Sequence, residues 1–268
     1  MKFRLSRRHA AAAVCLAAAL AAGGLIARHL SARPAACLLE DISPWPAPLP
    51  FDAPATAPSP APAEKRVFLT FDDGPSEHTE EILDILKEKQ AVASFFVIAA
   101  ENNQEYLPIL RRIEQEGHTI ALHSCTHDYR QIYSSTAAFW QDIEQLKQAI
   151  SPYITTPPEW LRFPGGSTNT VSRKYGGSSL MEKLNQQAGE KGYKVLDWNV
   201  CANDAVGGHP SAGKILRTVQ EGSKDLSTCV VLLHDTKQTK TTVEALPSMI
   251  DWYAQQGYRF CALGTDVP

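Results

Sequence analysis

From Lys65 to the end of the chain, short apolar runs alternate with segments whose apolar positions recur every three or four residues. The first run, Val67, Phe68, Leu69 and Phe71, ends in Asp72-Asp73-Gly74-Pro75, which predicts a buried strand closed by an abrupt turn. Ile82, Leu83, Ile85 and Leu86 then mark one face of a helix. Ser94–Ile98 reads as a second strand. Tyr106, Ile109, Leu110 and Ile113 have the spacing of an amphipathic helix that Gly117 ends. Strand three covers Thr119–Leu122. Phe139, Ile143, Leu146 and Ile150 form the next helix, stopped by Pro152, and Trp160–Phe163 is strand four. A helix over Leu180–Ala188 leads to strand five, Val195–Trp198. Ala212, Ile215, Leu216 and Val219 carry a helix capped by Ser211, and Val230–Leu233 is strand six. The last helix runs to Gln256, with Pro247 starting or kinking it, and Phe260–Leu263 is strand seven.

Strands alternating with helices make a parallel sheet, either doubly wound or closed. The polar residues decide between the two. Asp72-Asp73 follow strand one, His123 follows strand three, Arg162 ends strand four, Asp204 comes just past strand five, and His234-Asp235 follow strand six. Groups at the C-terminal ends of successive strands converge in a barrel, whereas distant strands of an open sheet hold them apart. The expected fold is α/β, a distorted or incomplete (β/α) barrel of about seven parallel strands. It forms a single catalytic domain over residues 64–268.

The front of the chain is different. Residues 2–9 are basic, and from Ala10 to Ala27 the chain is apolar or small, with no charge until Arg28. Residues 1–33 read as a signal peptide or an N-terminal membrane anchor, which implies export, with contact to a membrane if the segment is uncleaved. Nine of the 18 prolines then fall between Pro34 and Pro62, mixed with alanine, so residues 34–63 form an extended linker. Of the 26 Lys and Arg, six belong to residues 1–33, leaving 20 against 29 acidic groups, a balance of −9. An acidic body excludes nucleic acid as partner, because phosphate binding needs a basic face.

His123 and His127 lie four apart, the spacing that puts two imidazoles on one face of a helical turn. With Asp73 they make two histidines and one carboxylate, a donor set that leaves coordination positions for water and substrate. Zinc suits it; Co, Ni, Fe and Mn accept the same donors. The adjacent aspartates of a strand end should point to different places, one toward a metal and the other free as a base. The plainer alternative is a helix-capping loop, with Ser76 or Thr79 as cap.

Thr70-Phe71-Asp72-Asp73-Gly74, His123-Ser124-Cys125-Thr126-His127, Arg162-Phe163-Pro164-Gly165 and Leu232-Leu233-His234 resemble, in order, the motifs of the NodB-type polysaccharide deacetylases, carbohydrate esterase family 4. The resemblance covers about residues 64–268 and implies a distorted (β/α) barrel. It implies an enzyme that hydrolyses N-acetyl groups of chitin-like polymers or peptidoglycan, or O-acetyl groups of xylan. Residue by residue, Asp72 resembles the catalytic base, and Asp73, His123 and His127 the ligands of one divalent metal. Arg162 resembles the arginine that holds the base, His234 the general acid, and Leu232 a wall for the acetyl methyl. Pro164 and a backbone N–H near Gly165 fall at the substrate and oxyanion position.

Two departures stand out. The family often has an aromatic residue after Pro164, where this chain has Gly165-Gly166-Ser167, and Cys201 stands where an aspartate that orients the general acid is expected. Asp197 and Asp204 are the available replacements, and Asp204, beyond the strand end, is favoured. The expected partner is a neutral N-acetylated glycan, most readily peptidoglycan, met by a monomer outside the cytoplasm. A glycan-binding pseudoenzyme, an acetylxylan esterase and a small-molecule amidohydrolase are the competing readings. Retention of both Asp72 and His234 speaks against the first of these, since binding alone needs neither base nor acid. His118 is expected to be structural. Trp140, Trp160, Tyr129 and Tyr133 have the chemistry to stack on sugar rings but are assigned to core or rim packing, and the cysteines to free thiols.

Overall fold

The computed structural model describes residues 64–207 and 209–264. The leader and linker expected over residues 1–63 lie outside them. Among the described residues no helix is long and apolar enough to cross a membrane.

The chain opens with β1 (Lys65–Asp72), α1 (Thr79–Glu88) and β2 (Ala93–Ile98). A 3-10 stretch over Glu101–Ile109, containing Pro108, runs into α2 (Leu110–Gln115), so the single helix predicted around Tyr106–Ile113 is two pieces of different pitch. Next come β3 (Thr119–Ser124), α3 (Tyr129–Ile132), α4 (Thr136–Ile150) and β4 (Trp160–Leu161). They are followed by α5 (Arg173–Gly176), α6 (Leu180–Glu190), β5 (Lys194–Val195) and β6 (Val200–Cys201). The chain finishes with α7 (Ala212–Gly222), β7 (Thr228–His234), α8 (Lys240–Gln255) and β8 (Tyr258–Phe260). Pro247 lies inside α8 rather than at its start. Ser211 precedes α7, but its side chain makes no capping bond, and α1 likewise begins at His78 without a side-chain cap.

Seven parallel strands pair in the order β5-β4-β3-β2-β1-β7-β6 and curl into a half-barrel, with β8 added to the first residues of β1. The fifth predicted strand is the point of departure. Of Val195–Trp198 only Val195 is in a strand, β5, which pairs with β4, and the residues that pair with β7 come later, as β6. The reason lies in Arg162, whose guanidinium takes the carbonyls of Leu196 (3.0 Å) and Asp197 (3.1 Å). Those carbonyls would otherwise serve a ladder.

Period-two alternation along each strand separates two cores. Val67, Leu69 and Phe71 of β1, Phe95 and Val97 of β2, Leu122 of β3 and Val231 and Leu233 of β7 face the helices and form the larger cluster. Phe68, Phe96, Ala121, Trp160 and Val230 form the smaller one, inside the curl. Counting on by two from the inner residues reaches Thr70 and Asp72, His123, Arg162, and Leu232 and His234. The parity that fills the barrel with apolar side chains therefore delivers the polar ones to its mouth. Asp72 and His234 are cross-strand partners in the β1–β7 register, one strand spacing apart.

Candidate active site and metal centre

Asp73 departs from the strand. Its φ of 70° lies in the left-handed region, which turns its carboxylate to the same side as that of Asp72 instead of the opposite one. The two converge on His123, whose Nε2 is 3.4 Å from Asp73 Oδ1 and 3.8 Å from Asp72 Oδ2. Several groups hold this turn. Asn103 donates to the carbonyls of Asp73 and Pro75, and Asp235, fully buried, accepts from the hydroxyls of Ser76 and Thr79. Ser76 and Thr79 thus tie the loop to Asp235 rather than capping a helix. Gly74 is required by close approach, since a Cβ there would lie 2.5 Å from Asp235 Oδ2.

His123 and His127 do not share a helical turn, as their spacing suggested. His123 belongs to β3, and His127 sits in the following turn at φ 54°, with the two rings 5.3 Å apart. What shapes the turn is Asp142, buried on α4. One of its oxygens accepts from Ser124 Oγ (2.7 Å) and Cys125 N (2.7 Å), the other from Thr126 N (3.0 Å) and Thr126 Oγ1 (2.8 Å). Ser124 Oγ in turn receives the backbone N–H of His127.

Asp73, His123 and His127 bring one ligand atom each within 4.8 Å of one another, and their chemistry fits a divalent ion. His123 Nδ1 faces the carbonyl of Arg162 at 2.8 Å, which can only accept, so Nδ1 carries the proton and Nε2 presents a lone pair to Asp73. Burial, offset in part by the charges of Asp72 and Asp73, holds the pKa of His123 below its ordinary value. Asp73 Oδ1 is buried with no hydrogen-bond partner, 3.2 Å from His127 Nε2. Acceptors turned toward one another in this way are the ligand set for a cation.

Arg162 is completely buried and spends its donors locally. Besides the two carbonyls, one Nη reaches Asp72 Oδ1 (2.7 Å) and Thr70 Oγ1 (2.8 Å), and the guanidinium lies 4.0 Å from the centre of the Phe96 ring. A charge so far from water is tolerated because it is paired and hydrogen-bonded. Asp72 keeps Oδ2 for the cleft. On the neighbouring strand, His234 Nδ1 is 2.9 Å from Asp204 Oδ1, and Asp204 Oδ2 accepts the backbone N–H of His234 and the hydroxyl of Thr242, each at 2.8 Å. Burial lowers the pKa of His234, but the hydrogen bond and charge of Asp204, with Asp72 and Asp73 behind it, outweigh this and push it up to about 9. Asp197 goes elsewhere: it accepts from the backbone N–H and hydroxyl of Ser167. Cys201 gives its Sγ to Asn203.

Leu232 is buried on the inner face, and Gly165 is exposed beyond Pro164, whose carbonyl is held by Tyr133 Oη at 2.7 Å. The N–H of Gly165 has no hydrogen-bond partner among the described residues. Trp160 lies inside the barrel, Trp140 donates to Gln187, and His118 accepts the N–H of Ala93 with burial pushing its pKa down to about 4. Cys125, Cys201, Cys229 and Cys261 are free thiols, whereas Cys15 and Cys37 fall outside the described residues.

A carboxylate on one strand, a histidine on the next and a cation-ready triad beside them gather at this mouth of the barrel. Comparison gives the family. Residues 59–180 match the model of the family described as polysaccharide deacetylase. A peptidoglycan-N-acetylglucosamine deacetylase of Bacillus cereus is 31% identical over 200 residues, covering 74% of this chain and 85% of that protein. Among solved structures, the catalytic domain of a peptidoglycan N-acetylglucosamine deacetylase from Eubacterium rectale is 36% identical, with a TM-score of 0.73 over 80% of this chain and 95% of that one. A CE4 esterase of Streptococcus mutans is 29% identical with a TM-score of 0.65, covering 74% of this chain and 86% of that one. The chain belongs to the polysaccharide deacetylase family, the NodB-type or CE4 enzymes.

Proposed function

We propose that the protein removes N-acetyl groups from an aminosugar polymer, peptidoglycan before chitin-type chains, and that it does so outside the cytoplasm. The observation that carries the hydrolytic reading is the pairing of Asp72 with His234 across β1 and β7, each fixed by its own partner of opposite charge. Asp73, His123 and His127 would hold a divalent metal, zinc by preference, whose Lewis acidity makes water a nucleophile near neutral pH and polarises an acyl oxygen.

Arg162 fixes Asp72 through Oδ1, so Oδ2 is the oxygen that takes the proton of the attacking water. The free N–H of Gly165 donates to the acyl oxygen as negative charge develops there. Asp204 anchors His234 through Nδ1, leaving its Nε2–H for the leaving nitrogen. The C–N bond breaks as that proton moves, and acetate and an amine result. An amide needs this proton more than an ester does, which favours N-acetyl over the O-acetyl groups of xylan. Leu232 gives the acetyl methyl an apolar wall.

The relatives named peptidoglycan-N-acetylglucosamine deacetylases support peptidoglycan as substrate. The basic leader, apolar run and Pro/Ala linker support export. Incubating the protein with peptidoglycan, chitin oligomers and acetylated xylan, with mass analysis for acetyl loss, tests the reading. Loss from peptidoglycan first and xylan last is expected. Loss from xylan alone overturns the amide assignment, and loss from none overturns the deacetylase reading.

A further inference from the structure

Tyr129 packs on a residue of the metal triad and has no part in the roles above. Its ring stands edge-on to His127 at 5.5 Å and edge-on to Tyr133 at 5.5 Å. It is half-buried, and its hydroxyl has no hydrogen-bond partner among the described residues. The hydroxyl keeps contact with solvent, so it is open to a ligand.

The hydroxyl lies against Gly165. A Cβ on Gly165 would stand 2.8 Å from Tyr129 Oη and 3.6 Å from its ring, and the φ of 79° at Gly165 also disfavours a side chain. The tyrosine therefore fills the space that a residue 165 side chain would take, and it arrives there from the start of α3. Gly165 is exposed, and its N–H is also without a partner. Two donors without partners among the described residues, one from α3 and one from the loop after β4, meet at the same rim of the cleft.

We propose that Tyr129 binds the substrate: its ring walls the cleft beside Gly165, and its hydroxyl donates to an acceptor oxygen of the sugar lying over that glycine. Sugar rings present both features such a residue reads, an apolar face for the ring edge and oxygens for the hydroxyl. The competing role is structural, a prop that keeps the His127 ring in place. Tyr129→Phe separates them, since it keeps the ring against His127 and Tyr133 and removes only the donor.

The inference rests on the deacetylase reading, and the test keeps the two apart. Acetate release from tetra-N-acetylchitotetraose is followed at steady state in wild type and Tyr129→Phe, with metal content measured in both. The expected result is a KM raised about three- to tenfold, the value of one lost hydrogen bond, with kcat and metal content held. An unchanged KM overturns the assignment, and so does a loss of metal, which would make the tyrosine a support for His127. If the wild type releases no acetate, the deacetylase reading fails, and calorimetric binding of the same tetramer takes over. Weaker binding to Tyr129→Phe then sustains the Tyr129 assignment; equal affinity, or no binding to wild type, overturns it.

Discussion

Asp204 makes His234 a strong enough base to hold a proton at neutral pH. Its carboxylate is buried, grips both the imidazole and the backbone N–H of the same residue, and is steadied by Thr242. In the proposed role of general acid His234 has to be protonated, so activity should fall as pH rises through its pKa of about 9. Asp204→Asn removes the charge and leaves burial to act, so the alkaline limb of the kcat/KM profile should move down by about one to two pH units. Asp197→Asn should leave that limb in place, because Asp197 serves Ser167. An unmoved limb in Asp204→Asn would contradict the pairing. The same raised pKa is a stability contribution, present in full below the ordinary histidine value of 6.5 and lost as pH rises through about 9.

At the scale of elements, α4 and β3 act together. The apolar face Phe139, Ile143, Leu146 packs α4 on the sheet, and Asp142 interrupts that face to accept four bonds from the turn carrying His127. An asparagine cannot accept all four, since one of its two polar atoms is a donor. Asp142→Asn should therefore weaken divalent-ion binding about 10- to 100-fold, as loss of an outer-shell partner does. Competition with a chelator of known affinity measures this, and an affinity equal to wild type would contradict it.

The same helix shows what the sequence discloses and what it withholds. Strand and helix order was legible because each run keeps its own period, and the motif residues could be placed because they terminate those runs. Asp142 was also readable in principle, as a lone acid three residues after Phe139 on an apolar stripe. Three features were not. The positive φ of Asp73 and His127 goes with a hydrogen bond donated by distant Asn103 and with bonds accepted by distant Asp142 and by Ser124. The break in the fifth strand depends on a guanidinium 34 residues away. The meeting of Tyr129 with Gly165 joins the start of α3 to the loop after β4, which no local pattern encodes.

At the scale of the whole molecule, alternation along parallel strands divides the side chains between a helix-facing core and an inner column. That column is Phe68, Phe96, Trp160 and Val230 below and Asp72, His123, Arg162 and His234 above. The basic leader, apolar run and Pro/Ala linker, in that order before Lys65, predict delivery of this domain across a membrane. Protease added to intact spheroplasts should then remove the domain, whereas full protection in sealed cells would contradict export.

One divalent ion held by Asp73, His123 and His127 and used by Asp72 and His234 on an acetylated aminosugar is the centre of the proposed reaction. Acetate release from N-acetylglucosamine oligomers by chelator-stripped protein, titrated with zinc or cobalt, tests this most directly. Release should be absent from stripped protein, rise in proportion to added ion and level off at one equivalent per chain. Release from the stripped protein, or none at any loading, would contradict the account.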